Sequence, residues 1–99
     1  MIGVFVTFSY GADFDRERIE SVAVHARDTF VGMPGLHSKV FTVDAANHRA
    51  VNVYVWDDEA AAHAFFSDQM RERVTGLYGV APTVDFVDIA AIVENAVSV

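Results

Sequence analysis

Residues 34–66 decide the fold, and they read PGLHSKVFTVDAANHRAVNVYVWDDEAAAHAFF. They predict a turn at Pro34-Gly35, a strand over 36–43, a polar hairpin loop, a strand over 50–56 and a helix capped by Asp57. Both strands carry apolar or aromatic residues on both faces. A strand that hides both faces needs a layer on each side, which a chain of 99 residues can hardly supply alone. The stretch therefore indicates a partner subunit.

The flanking sequence adds two more strands and one more helix. Residues 2–10 are rich in β-branched and aromatic types and predict a strand, as do residues 83–89. Between the first strand and the turn, apolar residues recur at helical spacing, and Asp13 or Asp15 can cap that helix. We expect this helix to end near residues 31–32.

The second helix is predicted to run from its cap at Asp57 without a break to Gly76 and Gly79. The element order is then βαββαβ. An antiparallel sheet with both helices on one face is the ferredoxin-like arrangement of the α+β class. The other sheet face would be exposed although it carries apolar residues, so we expect two such sheets to face each other in a homodimeric barrel. Residues 1–99 form one domain, and the apolar tail 90–99 is expected to pack on the partner.

Composition bounds the function. The hydrophobic fraction of 53% is high for so small a chain and fits burial at a homodimer interface. A net charge of -7 argues against nucleic acid and against anionic membranes as partners. No run approaches the ~18 to 20 apolar residues of a membrane span. With no cysteine and no signal-peptide pattern, we expect a cytoplasmic protein.

The third strand carries the most informative side chains. Asn52, Tyr54 and Trp56 share one face, and the valines at 51, 53 and 55 share the other. We interpret the valine face as an ordinary core face. The first face combines an amide with two amphipathic rings, which suits a pocket for a flat ligand. It would equally suit a dimer interface, where aromatic residues are enriched.

Two histidines are candidate proton acceptors, because histidine titrates near neutral pH. His37 follows the Pro-Gly-Leu turn, and His63 lies on the flank of the second helix's apolar face. The alternatives are an exposed strand-edge residue and a hydrogen-bonded residue at the edge of the core. His25 and His48 are expected at the surface. The four histidines have no metal-ligand spacing, so we expect no metal site.

Several motifs together resemble a known superfamily. They are the Pro34-Gly35-Leu36 turn followed by Ser38-Lys39, and Tyr54-x-Trp56 followed by Asp58-Glu59-Ala60-Ala61 and Phe65-Phe66. The chain is similar here to the dimeric α+β barrel superfamily, and most resembles the YdhR-like mono-oxygenase branch, which is related to the antibiotic-biosynthesis monooxygenases. The resemblance implies a homodimer with a pocket in each subunit between helices and sheet.

The resemblance also bears on chemistry. Relatives oxidise polycyclic phenols without flavin or metal, degrade haem or isomerise small lactones. Phe65 matches a pocket aromatic of these relatives. The haem-ligating histidine of the haem-degrading relatives falls on Thr75, which argues against haem. Phenol-oxidising relatives usually hold their substrate with an asparagine on the first strand, where this chain has Thr7 and Ser9.

The sequence thus favours a cofactor-independent monooxygenase acting on an aromatic or polyketide-type small molecule, with no cofactor. The alternative is a non-catalytic dimeric domain that binds a hydrophobic small molecule or serves in a stress response. An isomerase or decarboxylase acting on small lactones or acids fits the fold but has no distinct residue signature here. In the enzyme hypothesis His37 or His63 deprotonates the substrate, and four residues position it: Asn52, Tyr54, Trp56 and Phe65.

Overall fold

Four strands, three α-helices and two 3₁₀ turns make up the computed structural model, which describes residues 1–95. In chain order they are β1 (Ile2–Ser9), a 3₁₀ turn (Gly11–Asp13), α1 (Arg16–Ala26), a second 3₁₀ turn (Arg27–Phe30), β2 (Leu36–Asp44), β3 (Arg49–Trp56), α2 (Glu59–Phe65), α3 (Asp68–Tyr78) and β4 (Thr83–Asp88). Each predicted strand is present within one residue of its predicted limits.

The strands form one antiparallel sheet in the order β2-β3-β1-β4. The two long hairpin-connected strands β2 and β3 lie on one side of β1, and β4 lies on the other. This arrangement with helices between the strands is ferredoxin-like. The predicted α+β class and antiparallel sheet are therefore confirmed. The two-chain barrel remains a prediction.

One face of the sheet packs against the helices and forms the core. Val4, Val6 and Phe8 of β1 are at most 2% exposed, and Tyr54 and Trp56 of β3 are at most 3% exposed. Alternate residues of a strand point to opposite faces, so these side chains all lie on the helix side. The aromatic face of β3 is thus the buried one.

The expectation that the valine face of β3 packs in the core is wrong for the single chain. Val51 and Val53 are opposite Thr7 and Phe5 of β1 on the face that the helices leave open. On the same face Phe5 is 39% exposed and Val40 is 54% exposed. The helices cannot cover this side, because their apolar residues are already buried against the other one. We call it the open face.

The helices begin at side-chain caps. The carboxylate of Asp15 accepts a hydrogen bond from the Arg18 amide at the start of α1, as one of the two predicted caps. The cap of α2 is Asp58 and not Asp57, because the Asp58 carboxylate accepts from the backbone amides of Ala60 and Ala61 at 2.9 and 3.3 Å. The prediction was therefore one residue early.

The long second helix of the prediction is broken in two. Phe66 leaves helical geometry at φ -85° and ψ 54°, and the Ser67 hydroxyl then caps α3 by accepting from the Met70 amide at 3.2 Å. Serine followed by an acidic first turn is a helix start signal. The break lets two consecutive residues face inward: Phe66 is 6% exposed in the core, and Phe65 packs on Tyr54.

A β-bulge near the start of β2 sets which side chains reach the helix side. Leu36 pairs with Trp56, but Ser38 and not His37 pairs with the next residue, Val55. One extra residue inverts the alternation of every side chain that follows. As a result Lys39 lies opposite Tyr54 on the helix side.

The segment after β4 crosses the sheet. A Cβ atom on Gly3 would lie 3.6 Å from Ile89, and the Glu94 carboxylate contacts His37 at the far edge strand β2. Residues 89–95 have no helix or strand, and the remainder of the tail predicted to contact a partner lies outside the described residues. Within residues 1–95, none of the helices has the length and apolarity needed to cross a membrane.

Candidate functional site

A cavity of about 510 Å³ lies between the helix side of the sheet and the helices α1 and α3. Val6 and Phe8 of β1 contribute to its walls together with Met70 and Val74 of α3. Apolar and aromatic side chains make up most of the lining. A mainly apolar recess with a few polar groups is the usual form of a small-molecule site.

Four aromatic rings form one wall. Phe30, at the end of the second 3₁₀ turn, lies at the centre of the group, with its ring centroid 5.9 to 6.0 Å from those of Phe41, Tyr54 and Phe65. The rings meet edge to face, which is a favourable geometry for aromatic pairs. Strand, turn and helix therefore converge on a surface that suits a flat ligand.

A buried polar pair lies in the same cavity. Asn52 is 3% exposed, and its side-chain amide donates a hydrogen bond of 3.1 Å to the Tyr78 hydroxyl. The Tyr78 ring stacks on Phe8 with centroids 3.8 Å apart. Burial raises the pKa of Tyr78, so this phenol stays protonated at neutral pH. The amide has one more N–H and a carbonyl oxygen for a ligand.

Lys39 is the only lysine in the sequence, and its amino group lies in the cavity among aromatic rings. The Nζ atom is 3.4 Å from the ring centroid of Phe30, 4.1 Å from that of Phe41 and 4.3 Å from that of Tyr54. Burial lowers the pKa of Lys39 to about 7, while the ring faces stabilise the charged form. Such a group combines ligand-binding and acid–base capacity.

Three of the four predicted ligand-binding residues come together in the cavity wall: Asn52, Tyr54 and Phe65. Trp56 lies behind this wall, with its ring 5.4 Å from Phe65 and only 1% of the residue exposed. Its indole N–H has no hydrogen-bond partner within the described residues. Both strand aromatics thus lie on the side of the cavity and not on the open face.

His37 lies in a different place from these residues. It lines a smaller cavity of about 280 Å³ that shares Phe30 and Lys39 with the larger one. Its Nε2 atom contacts the Glu94 carboxylate, and its Nδ1 atom is 3.4 Å from Asp57. The hydrogen bond to Glu94 raises the pKa of His37 above its usual value.

His63 is on the outer side of α2. Its side chain is 54% exposed, its ring stacks on Phe86 at 4.5 Å, and its Nε2 atom is 3.8 Å from the Glu59 carboxylate. It does not line the larger cavity. His25, expected at the surface, is indeed exposed but also lies at the edge of that cavity.

Sequence reasoning missed Lys39 as a site residue. A lysine in a strand next to a histidine and a serine is usually solvent-exposed, and the bulge that turns it inward has no clear mark in the sequence. The remaining signal was its uniqueness in the chain. Within residues 1–95, no three histidine and carboxylate side chains converge as a metal site would require.

Comparison with solved structures finds several proteins with a similar fold. The chain is similar to a monooxygenase of Streptomyces coelicolor in complex with the ligand nanaomycin D, with 17% identity, a TM-score of 0.68, and coverage of 96% of this chain and 92% of that chain. It is also similar to SnoaB, a cofactor-independent oxygenase of Streptomyces nogalater, with 19% identity, a TM-score of 0.62, and coverage of 92% of this chain and 95% of that chain.

A dimeric ferredoxin-like protein of unknown function from Thermobifida fusca is similar as well, with 15% identity, a TM-score of 0.66, and coverage of 89% of this chain and 90% of that chain. No family model and no curated protein matches the chain. At such identities the similarity shows the ferredoxin-like fold that antibiotic biosynthesis monooxygenase-like proteins share. The reaction of a protein with this fold depends on the residues of its site.

Proposed function

We propose that the protein is a cofactor-independent monooxygenase of the YdhR-like branch that acts on an aromatic, polyketide-type small molecule. The observation that carries this proposal is the aromatic-walled cavity with the Asn52–Tyr78 pair inside it. Its volume of about 510 Å³ lies within the range of about 300 to 1,000 Å³ typical of ligand sites. Similarity to oxygenases of the same fold supports the reaction class.

In the proposed reaction the substrate itself supplies the electrons. An anthrone, the keto form of a phenol, loses a proton from the carbon opposite its oxygen to a base of the protein, and the resulting phenolate anion transfers an electron to dioxygen. Recombination of the substrate radical with superoxide forms a carbon–oxygen bond and a peroxide anion, which takes the proton back from the base. The hydroperoxide then loses water to leave a carbonyl group. One oxygen atom enters the product and the other leaves in water. The protein contributes orientation, proton removal and exclusion of solvent.

Each wall residue has a role in this proposal. Phe65 and Tyr54 stack against the ring system, and the free N–H and carbonyl oxygen of Asn52 bond to the substrate's oxygens. Trp56, behind the wall, fixes the positions of Tyr54 and Phe65. Holding a flat substrate in one orientation directs oxygen to one carbon atom.

The proton acceptor remains a prediction. Of the two histidines proposed for it, His37 is better placed, since its smaller cavity shares Phe30 and Lys39 with the larger one. His63 lies on the outer surface of α2. We therefore expect His63→Ala to leave oxidation unchanged. His37→Ala is expected to slow oxidation at least tenfold if His37 removes the proton. A general base typically contributes about 10²- to 10⁴-fold, and water replaces part of that contribution in the variant.

The test is oxygen uptake with a panel of anthrone-like and quinol-type phenols, with ¹⁸O₂ to trace the oxygen. Catalysed uptake with one labelled atom in the product is expected. Phe65→Ala should raise the KM for such a substrate more than it changes kcat. If none of the phenols is consumed faster than in the presence of serum albumin, the monooxygenase proposal fails.

The second candidate function is a non-catalytic domain that binds a hydrophobic small molecule in the same cavity. The position of both histidines outside the larger cavity favours it. Saturable binding of an anthrone-like compound without oxygen uptake would identify this function.

We further propose that the protein is a homodimer whose two open faces pack against each other. The exposed apolar residues Phe5, Val40 and Val87 lie on that face, at 39, 54 and 41% exposure. A contiguous apolar surface of this kind marks an association site. A similar fold is described as dimeric in Thermobifida fusca.

A further inference from the structure

The charges around the larger cavity are opposite in sign to the charge of the whole chain. Lys39, Arg73 and His25 line it, while none of its lining residues in the described chain is an aspartate or glutamate. The protein as a whole has 14 acidic against 7 basic residues. A local positive field inside an acidic protein selects anionic ligands and repels cationic ones.

Among residues 1–95, Lys39 has no counter-ion. Within residues 1–95 no carboxylate oxygen lies within 4.0 Å of its amino group, and the side chain forms no hydrogen bond there. Its neighbours are the ring faces of Phe30, Phe41 and Tyr54. Burying an ammonium group without a counter-ion has a high desolvation cost. Pairing with an anion would therefore stabilise the buried Lys39 more than it would stabilise a lysine on the surface.

The position of Lys39 is fixed by backbone geometry. The bulge at His37 places Lys39 on the helix side, directly opposite Tyr54 in the β2–β3 ladder. A side chain held between three rings has lost most of its rotamer freedom before any ligand arrives. Such preorganisation reduces the entropic cost of binding.

We propose that the ligand of this cavity is a flat organic anion, an aromatic carboxylate or an acidic phenol, whose charged oxygen pairs with the amino group of Lys39 while its rings lie on Phe30 and Phe65. This deepens the proposed function, on which it rests for the identity of the site, by naming the charge of the substrate. Arg73, which also lines the cavity, attracts the anion toward it.

Binding of such an anion in the larger cavity should depend on pH. The titratable groups that line the cavity with Lys39 are His25 from α1, Arg73 and Tyr78 from α3, and Tyr54 from β3; His37 and Arg27 line the adjacent smaller cavity. Burial raises the pKa of both tyrosines, which therefore stay neutral. Burial lowers the pKa of Lys39 to about 7, so the free amino group is mostly neutral at higher pH. It must take up a proton there before it can pair with an anion.

Affinity for the anion should therefore fall as the pH rises above the pKa of Lys39, by up to about tenfold per pH unit. Binding above pH 7 should be accompanied by proton uptake, seen as different binding enthalpies in buffers of different ionisation enthalpy. Lys39→Arg, which keeps its charge, should bind the anion with little pH dependence. Lys39→Met should lose the anion preference.

The probes are 1-hydroxy-2-naphthoate and its neutral carboxamide, compared by anaerobic titration calorimetry so that oxidation plays no part. We expect wild type to bind the carboxylate at least tenfold more tightly than the carboxamide, and Lys39→Met to bind both alike. Arg16→Met is the control, because it removes one positive charge at the exposed Arg16–Glu20 pair. Equal affinity of wild type for both probes, or no binding of the carboxylate at millimolar concentration, overturns the proposal.

A second measurement does not depend on the folding of variants. Protein labelled with ¹⁵N-lysine has a single side-chain amino signal, because Lys39 is the only lysine. The carboxylate should raise the titration midpoint of that signal and the carboxamide should not. An unmoved midpoint at saturation with the carboxylate also refutes the pairing. If the protein binds the carboxylate but catalyses no oxygen uptake with the phenols, only the monooxygenase proposal is rejected.

Discussion

The side-chain amide of Asn52 on β3 donates a hydrogen bond to the Tyr78 hydroxyl on α3, 3.1 Å away and inside the fold. This bond ties the sheet to the last helix through the cavity. Tyr78→Phe keeps the stacked ring on Phe8 but leaves the amide without its partner. We expect a loss of about 1 kcal/mol in the free energy of unfolding, measured by urea denaturation.

Tyr10→Phe is the matched control for that change. The Tyr10 hydroxyl is also buried but has no partner within residues 1–95, so its removal should leave stability unchanged or raise it. If the two variants lose the same free energy, the Asn52–Tyr78 bond does not stabilise the fold.

Gly35 should resist substitution. It has a φ of +81°, and an added Cβ would lie 2.9 Å from the Cβ of Ala61 in α2. Its carbonyl also accepts from the Asp57 amide at 2.9 Å, which fixes the start of α2 against the turn. We expect Gly35→Ala to lower the free energy of unfolding by roughly 1 to 3 kcal/mol.

Gly76 provides the comparison for Gly35. It lies within α3, and an added Cβ would have open space around it. Gly76→Ala should stabilise the protein by about 0.5 to 1 kcal/mol, because alanine favours the helix. Thermal melts of the two variants should move in opposite directions, and melts that fall together would contradict this account.

Charging the open face should abolish self-association. Val40 is 54% exposed on this face, and Val40→Asp would place a carboxylate inside the proposed interface. Light scattering should give a dimer mass for wild type and a monomer mass for the variant. Val24→Asp, on the 73% exposed surface of α1, should remain dimeric. A wild-type monomer at micromolar concentration would exclude the dimer.

Rising pH should loosen the segment 89–95. The hydrogen bond to Glu94 raises the pKa of His37 above 6.5, so the folded state binds the proton more tightly than the unfolded chain. The stability that this contact gives to the segment is fully present below pH 6.5 and is lost as the pH rises through the raised pKa of His37. Amide exchange in this segment, corrected for its intrinsic pH dependence, should show declining protection.

Two variants test that interpretation. Glu94→Gln should remove the pH dependence of protection, whereas His48→Asn should keep it, because His48 contacts Gly11 and not the tail. Asparagine also tolerates the positive φ of 51° at position 48. Protection that varies with pH in Glu94→Gln as it does in wild type would point to another group.

The strands were predictable because they are rich in β-branched and aromatic residues and their ends carry clear turn signals. Burial of Tyr54 and Trp56 was not predictable, since both faces of β3 are apolar and alternation alone cannot tell which face the helices cover. The break after Phe66 was missed because the apolar spacing of a helix continues across Ser67. That spacing does not show that the serine side chain ends one helix and caps the next. The inward position of Lys39 depends on ladder hydrogen bonds between distant residues.

The bulge has a consequence for how this protein can evolve. His37 is the surplus residue of the strand, so losing one codon there would give a regular ladder and leave Lys39 opposite Tyr54. The same deletion would release Glu94 from β2. A deletion at this position would therefore alter the attachment of the tail and remove the proposed proton acceptor, yet leave Lys39 in the ligand's binding site.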